Sequence, residues 1–147
     1  MEKVSPLPLA EELPPDRVLR KIRIPFIQRA SVSVGGRREE LFMVDLGLRG
    51  TFLERMEAIE PGEEIEISFP LPGNEIPVRA RGRVAWWRPP GDARNARALP
   101  PGVGVEFVEM SERDGERVRQ HLAEHLRQHP RHRRFLRHPE ESEEEGA

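Results

Sequence analysis

Between positions 17 and 38 the chain carries seven cations, Arg17, Arg20, Lys21, Arg23, Arg29, Arg37 and Arg38, and no acid. The balance then reverses, with six glutamates against one arginine over residues 54–66. A block of one sign at the start of a domain favours an anionic ligand or partner there. Arg79, Arg81 and Arg83 recur at every second position of another run. That spacing reads as a solvated strand face that discourages edge pairing and meets the glutamates of the preceding strand. The remaining group with chemistry in its spacing is HLAEH at 121–125, in which His121, Glu124 and His125 match the H-x-x-E-H pattern that grips zinc. Such a site needs a third protein ligand and a deep cleft, and only 22 residues, mostly charged tail, follow His125. The segment therefore reads as a solvated, histidine-rich helix end, and no metal or other cofactor is expected.

Cysteine and tyrosine are absent, and no Ser/His/Asp set, phosphate-cradling loop or carboxylate pair converges in the sequence. Disulfides, zinc-thiolate sites and thiol nucleophiles are excluded outright. Nothing amounts to a catalytic constellation, so the expected activity is binding rather than catalysis.

The elements that must position these residues are legible from period-two alternation. Ile24, Phe26, Ala30, Val32 and Val34 alternate up to Gly35-Gly36, which predicts a strand and a hairpin turn. The return run ELFMVDLGLRG would then direct Phe42, Val44, Leu46 and Leu48 inward, and Leu41, Met43, Asp45, Gly47 and Arg49 outward. Thr51, Phe52 and Leu53 restart the chain after Gly50. Ile65, Ile67 and Phe69 alternate with polar residues after the turn at Pro61-Gly62. The next run predicts Ile76, Val78, Ala80, Gly82, Val84 and Trp86 inward, against Pro77, Arg79, Arg81, Arg83 and Trp87 outward. A long loop over 89–102 leads to a last strand with Val103, Val105 and Phe107 on one face, where Gly104 signals a bulge or a close approach. Ser111 with Asp114 forms a capping box, and Val118, Leu122 and Leu126 follow at helical spacing. Short antiparallel strands closed by one helix predict a mainly β fold, a small antiparallel β-barrel with a single C-terminal α-helix.

At 147 residues the chain accommodates one such domain with tails. Residues 1–16 and 139–147 lack any periodic apolar face and are expected to be disordered, with a domain over 17–128 and a charged flexible tail over 129–147. The basic stretch HPRHRRFLRH directly precedes an acidic one, and the two are expected to screen each other rather than form a nucleic-acid-binding arm. No apolar run approaches a membrane span, and the acidic start at Glu2 is unlike a signal peptide. The expected compartment is the cytoplasm.

Three segments in order carry a family resemblance. RVLRKIRIPF at 17–26 resembles an RxxxR motif before a hydrophobic-Pro step. VDLGLRGTFL at 44–53 resembles a (D/N)xSxxG motif, with Asp45 and Gly50 at its first and last positions. RGRVAWW at 81–87, followed by PPGVGVEFVEMS at 100–111, resembles a penultimate strand, a Pro-Gly turn and a final strand leading into a helix. Together they are similar to the PilZ family over about residues 17–128.

The resemblance implies a split-barrel-type receptor for the bacterial second messenger cyclic di-GMP, controlling a process such as motility through a protein partner. The implied ligand residues are Arg20 and Arg23, clamping guanine and phosphate, Asp45, reading guanine, and Gly47 and Gly50, shaping the floor; Arg17, Lys21 and Arg49 are additional candidates. The chemistry is coherent, because guanine offers O6 and N7 to an arginine fork and N–H donors to a carboxylate. Gly50 would supply a left-handed turn or room for a ligand. Two positions depart from the family pattern. Gly47 stands where the family carries serine, and Leu19 stands four residues before Arg23, whereas Arg17 and Lys21 keep the spacing with a lysine. A second reading, equally open at this point, is a PilZ-type interaction module that binds no nucleotide and acts on motility or type IV pilus machinery.

Overall fold

The alternating runs do form strands. A computed structural model describes residues 19–91 and 100–129. The expectations for residues 1–16, for Arg17, for most of the charged tail and for the middle of the 89–102 loop lie outside the described residues. The elements are β1 (Arg23–Val34), β2 (Arg37–Gly47), β3 (Gly50–Glu54), β4 (Glu64–Leu71), β5 (Asn74–Arg88), β6 (Gly102–Met110) and a helix, α1 (Glu112–Gln128). The strands close into an antiparallel barrel in the order β1-β2-β3-β6-β5-β4. The β1–β2 hairpin turns on Gly35 and Gly36, both at positive φ (56° and 80°), as a tight two-residue hairpin requires. Closure leaves a short seam between β1 and β4, which meet through three residue pairs, Ser31↔Ser68, Val32↔Ile67 and Ser33↔Glu66, as few as join β2 to β3, the next strand in the chain.

The inward faces of β1, β4 and β6 follow the alternation: Ile24, Phe26, Ala30 and Val32, then Ile65, Ile67 and Phe69, then Val103 and Val105 are all buried. Phe107 is partly buried and packs on the same core, stacked on Phe69. Two strands break the expected phase. In β2, Met43 is fully buried and Leu41 packs on the core, whereas Phe42 is 45% exposed; Leu46 is nevertheless buried, as expected. The cause is a bulge between Met43 and Asp45 in the pairing with β3, which inserts an extra residue and reverses the faces partway along the strand. In β5, a bulge between Val84 and Trp86 exchanges the two tryptophans: Trp87 turns onto the core opposite Val103, and Trp86 lies on the outer face opposite Gly104. At the other end of β5, Ile76 is 57% exposed rather than inward.

Ser111 caps α1, its hydroxyl accepting a hydrogen bond from the Asp114 N–H at 3.0 Å. The reciprocal half of the box is absent, because the Asp114 carboxylate instead accepts from the Arg79 backbone N–H at 3.1 Å and from Arg117 at 2.9 Å. These contacts tie the first turn of the helix to β5. Val118, Leu122 and Leu126 are buried, and α1 rests on β1, β2 and β5. His121 packs its ring edgewise on Phe26 of β1, with centroids 5.4 Å apart. The rings of His125 and His129 face one another at 4.6 Å. Among the described residues no helix is long and apolar enough to cross a membrane.

Candidate functional site

Strand register assembles the site. Pro25 pairs with Asp45, Asp45 with Phe52, Phe52 with Gly104, and Gly104 with Trp86, so one row runs across β1, β2, β3, β6 and β5 on the outside of the barrel. The bulge in β2 sets Asp45 on this row, and the bulge in β5 adds Trp86.

Asp45 is the polar centre of the row. Its Oδ1 accepts from the Phe52 backbone N–H at 2.8 Å and from Arg23 Nη1 at 3.3 Å. Both bonds fall on one oxygen, so Oδ2 is the atom left to accept a further donor from outside the described residues. The Asp45 carbonyl accepts the Thr51 hydroxyl at 2.6 Å, which fastens the end of β2 to β3. The Arg23 side chain is 14% exposed and that of Asp45 26%, so the pair is partly desolvated and charge-assisted.

The two rings make a platform. Phe52 and Trp86 stack with centroids 5.3 Å apart and planes 28° from parallel. A Cβ on Gly104 would come within 2.1 Å of Trp86 Nε1, so the glycine is what allows the indole to lie down on the barrel. The close approach expected at Gly104 is thus made by a side chain. The Arg88 guanidinium stands over both rings, 4.9 Å from the centroid of Phe52 and 5.1 Å from that of Trp86. Burial depresses the Arg88 pKa, and the nearby Asp45 carboxylate opposes the shift.

The residues expected from sequence are only partly brought together. Arg23 and Asp45 meet directly. Arg20 and Lys21 are exposed on the turn that precedes β1, while Leu19, four residues before Arg23, is fully buried in the core. Gly47 lies against this turn, where a Cβ would be 2.8 Å from the Ile22 carbonyl oxygen. Gly50 does not take a positive φ. Its small size is needed because a Cβ would lie 1.9 Å from the Val105 carbonyl oxygen, so close packing of β3 on β6, not a left-handed turn, explains the residue. Arg49 is exposed, and its carbonyl accepts from the Phe107 N–H at 2.7 Å. Sequence reasoning missed Phe52, Trp86 and Arg88 as site residues. The usable signal was Gly104, whose close approach needed a partner, together with the aromatic that immediately follows the VDLGLRGT run.

Farther along the outer face of β5 the arginine stripe behaves as a solvated face. Arg81 bridges Glu64 of β4 at 3.6 Å and Glu109 of β6 at 2.8 Å.

A family model described as PilZ domain matches residues 18–124. Among solved structures, the chain is similar to the Bacillus subtilis inhibitor of motility MotI/DgrA, with a TM-score of 0.60 and 11% identity over 71% of this chain; the match spans 49%, about half, of that protein's chain. It is also similar to the PilZ domain of YcgR from Escherichia coli, a structure with c-di-GMP, with a TM-score of 0.55 and 17% identity over 76% of this chain and 93% of that one. No curated protein matches the sequence.

Proposed function

The chain belongs to the PilZ domain family, and from that premise we propose that it is a cyclic di-GMP receptor acting as an adaptor, with the nucleotide held on the outer row between β1 and β5. PilZ domains are receptor and adaptor modules, and the proposed action is by binding. The observation that carries the reading is the in-register row itself: a carboxylate, a partly desolvated guanidinium and two stacked rings, the buried Phe52 beneath the partly exposed Trp86, share one outer face of the barrel. Each suits one part of the ligand. Asp45 accepts from the N–H edge of guanine, Arg23 turns its fork to O6 and N7 or to phosphate, and Arg20 and Lys21 stand on the adjacent turn as exposed cations for the second phosphate. Gly47 keeps the floor low beside Arg23, and Gly50 contributes by letting β3 pack close on β6 beneath the row. Binding would divide Arg23 between Asp45 and the ligand and so alter how the segment before β1 lies on the barrel, which is the proposed signal to a protein partner. Control of motility is the proposed output, by analogy with the Bacillus subtilis neighbour, an inhibitor of motility.

Calorimetric titration with cyclic di-GMP at physiological salt tests the reading, because contacts to phosphate are salt-dependent. Saturable binding is expected. Arg23→Ala and Asp45→Ala should each weaken it by about 1.5 kcal/mol or more, and Arg81→Ala, farther along β5 and paired with Glu64 and Glu109, should leave it unchanged. A melting curve must accompany Asp45→Ala, since Asp45 also holds the Phe52 N–H. Absence of saturable binding at millimolar nucleotide would sink the proposal. One observation favours that alternative, a PilZ-type interaction module without nucleotide: the position four residues before Arg23, where the family motif has arginine, is occupied by the buried Leu19.

A further inference from the structure

Resting on the reading just proposed, we infer that Arg88 is the base-stacking residue of the site and its second arginine, supplied from β5 rather than from the segment before β1. Three features of the molecule carry this. The guanidinium of Arg88 is nearly equidistant from the Phe52 and Trp86 ring centroids, at 4.9 and 5.1 Å, so one side of the cation is already occupied by aromatic rings. Its opposite side is a flat, partly dehydrated cationic surface, which is what a purine stacks on. Asp45 lies close enough to act electrostatically on Arg88, and it also binds Arg23. Asp45 is therefore bound by one guanidinium, Arg23, and lies within electrostatic range of a second, Arg88. Finally, among the described residues no carboxylate or carbonyl accepts an Arg88 N–H, and such an accumulation of unused donors on a half-buried cation suits acceptors brought by a ligand.

The resulting order from the barrel outward is Phe52 and Trp86, then Arg88, then base. Beside the stack, Asp45 Oδ2 accepts from the N–H edge of guanine, and the Arg88 N–H groups, which lie in a plane parallel to the base, are directed to phosphate oxygens. An acceptor facing N1–H and N2–H₂ matches guanine and not adenine, whose N1 is itself an acceptor and which lacks the 2-amino group. Arg88 thus gives the site its second cation and its stacking surface, while Asp45 gives it its base preference.

The test is calorimetry on the full chain with cyclic di-GMP and, in parallel, cyclic di-AMP, accompanied by melting curves. Arg88→Ala should weaken cyclic di-GMP binding at least tenfold. Arg88→Lys, which keeps the charge and loses the plane, should recover less than half of that loss on a logarithmic scale. The unmodified chain should prefer cyclic di-GMP to cyclic di-AMP by at least tenfold, and Arg88→Ala should weaken both nucleotides, because stacking does not read the base edge. If the unmodified chain binds and Arg88→Ala stays within twofold of it, the inference is overturned while the receptor reading stands. Full affinity in Arg88→Lys would overturn the stacking role. If the unmodified chain itself does not bind, the receptor reading fails and this inference with it. Arg88→Met, similar in bulk and apolar, should lose affinity while melting within a few degrees of the parent, separating recognition from folding.

Discussion

At the scale of single residues, the site divides into a part carried by short motifs and a part made by register. Arg23 and Asp45 were legible because both lie in compact runs with recognisable neighbours. Phe52, Trp86 and Arg88 were not, because strict alternation assigned Trp86 to the core and nothing local ties β5 to β3 across the intervening β6. The glycines report the same division. Gly104→Ala should displace the Trp86 ring and cost about 1–3 kcal/mol, as overpacked sites do. Gly50→Ala should cost more, because the obstructing atom is the Val105 carbonyl oxygen, which belongs to the sheet and cannot rotate away. Chemical denaturation of both variants checks the order, and a near-neutral Gly50→Ala would contradict the β3–β6 register.

At the scale of elements, hydrophobic periodicity identified all six strands and the helix but could not see bulges. A bulge leaves no mark on composition; it only changes which residues face inward. For β2 the consequence is measurable. Met43→Ala should cost about 2–5 kcal/mol through the cavity it leaves, whereas Phe42→Ala, at an exposed position, should stay within about 0.5 kcal/mol. Unbroken alternation predicts the reverse, so urea midpoints for the pair decide between the two phases. The helix is a simpler case because its apolar spacing and cap were both visible. Leu122 is fully buried, and Leu122→Ala should cost about 2–5 kcal/mol. Sequence gave no sign that the Asp114 carboxylate would leave its own cap for the Arg79 N–H, since that bond depends on where the helix docks.

At the scale of the whole molecule, His121 makes the docking of α1 sensitive to acid. Burial against the barrel lowers its pKa from the ordinary 6.5. With the folded value below the unfolded one, the unfolded chain takes up the proton first. The stability from burying the neutral ring is therefore present in full above the unfolded value near 6.5 and declines as pH falls from there through the lower folded value. Melting temperatures between pH 7.5 and 5 should fall more steeply for the parent chain than for His121→Leu; parallel curves would remove His121 from the account. Glu39 adds a second, more acidic loss. Its hydrogen bonds to Arg55, at 2.9 and 2.7 Å, hold its carboxyl below the ordinary 4.5. That contribution is present in full above the ordinary 4.5 and declines as pH falls from there through the depressed value.

The three-pair seam between β1 and β4 also determines how the barrel comes apart. A closed sheet behaves as a hoop, and a hoop yields at its shortest joint. The other joints are longer or are hairpins anchored by their own turns, while α1, resting on both β1 and β5, lies across this joint as a brace. The lowest-energy opening should therefore be a parting of β1 from β4 once α1 lifts, with the two hairpins intact on either side. Under native conditions, backbone amides of Val32 and Ile67 should exchange with deuterium ahead of those of Val84 and Val105. Acid that protonates His121 should accelerate the first pair selectively, because it loosens the brace before it touches the staves.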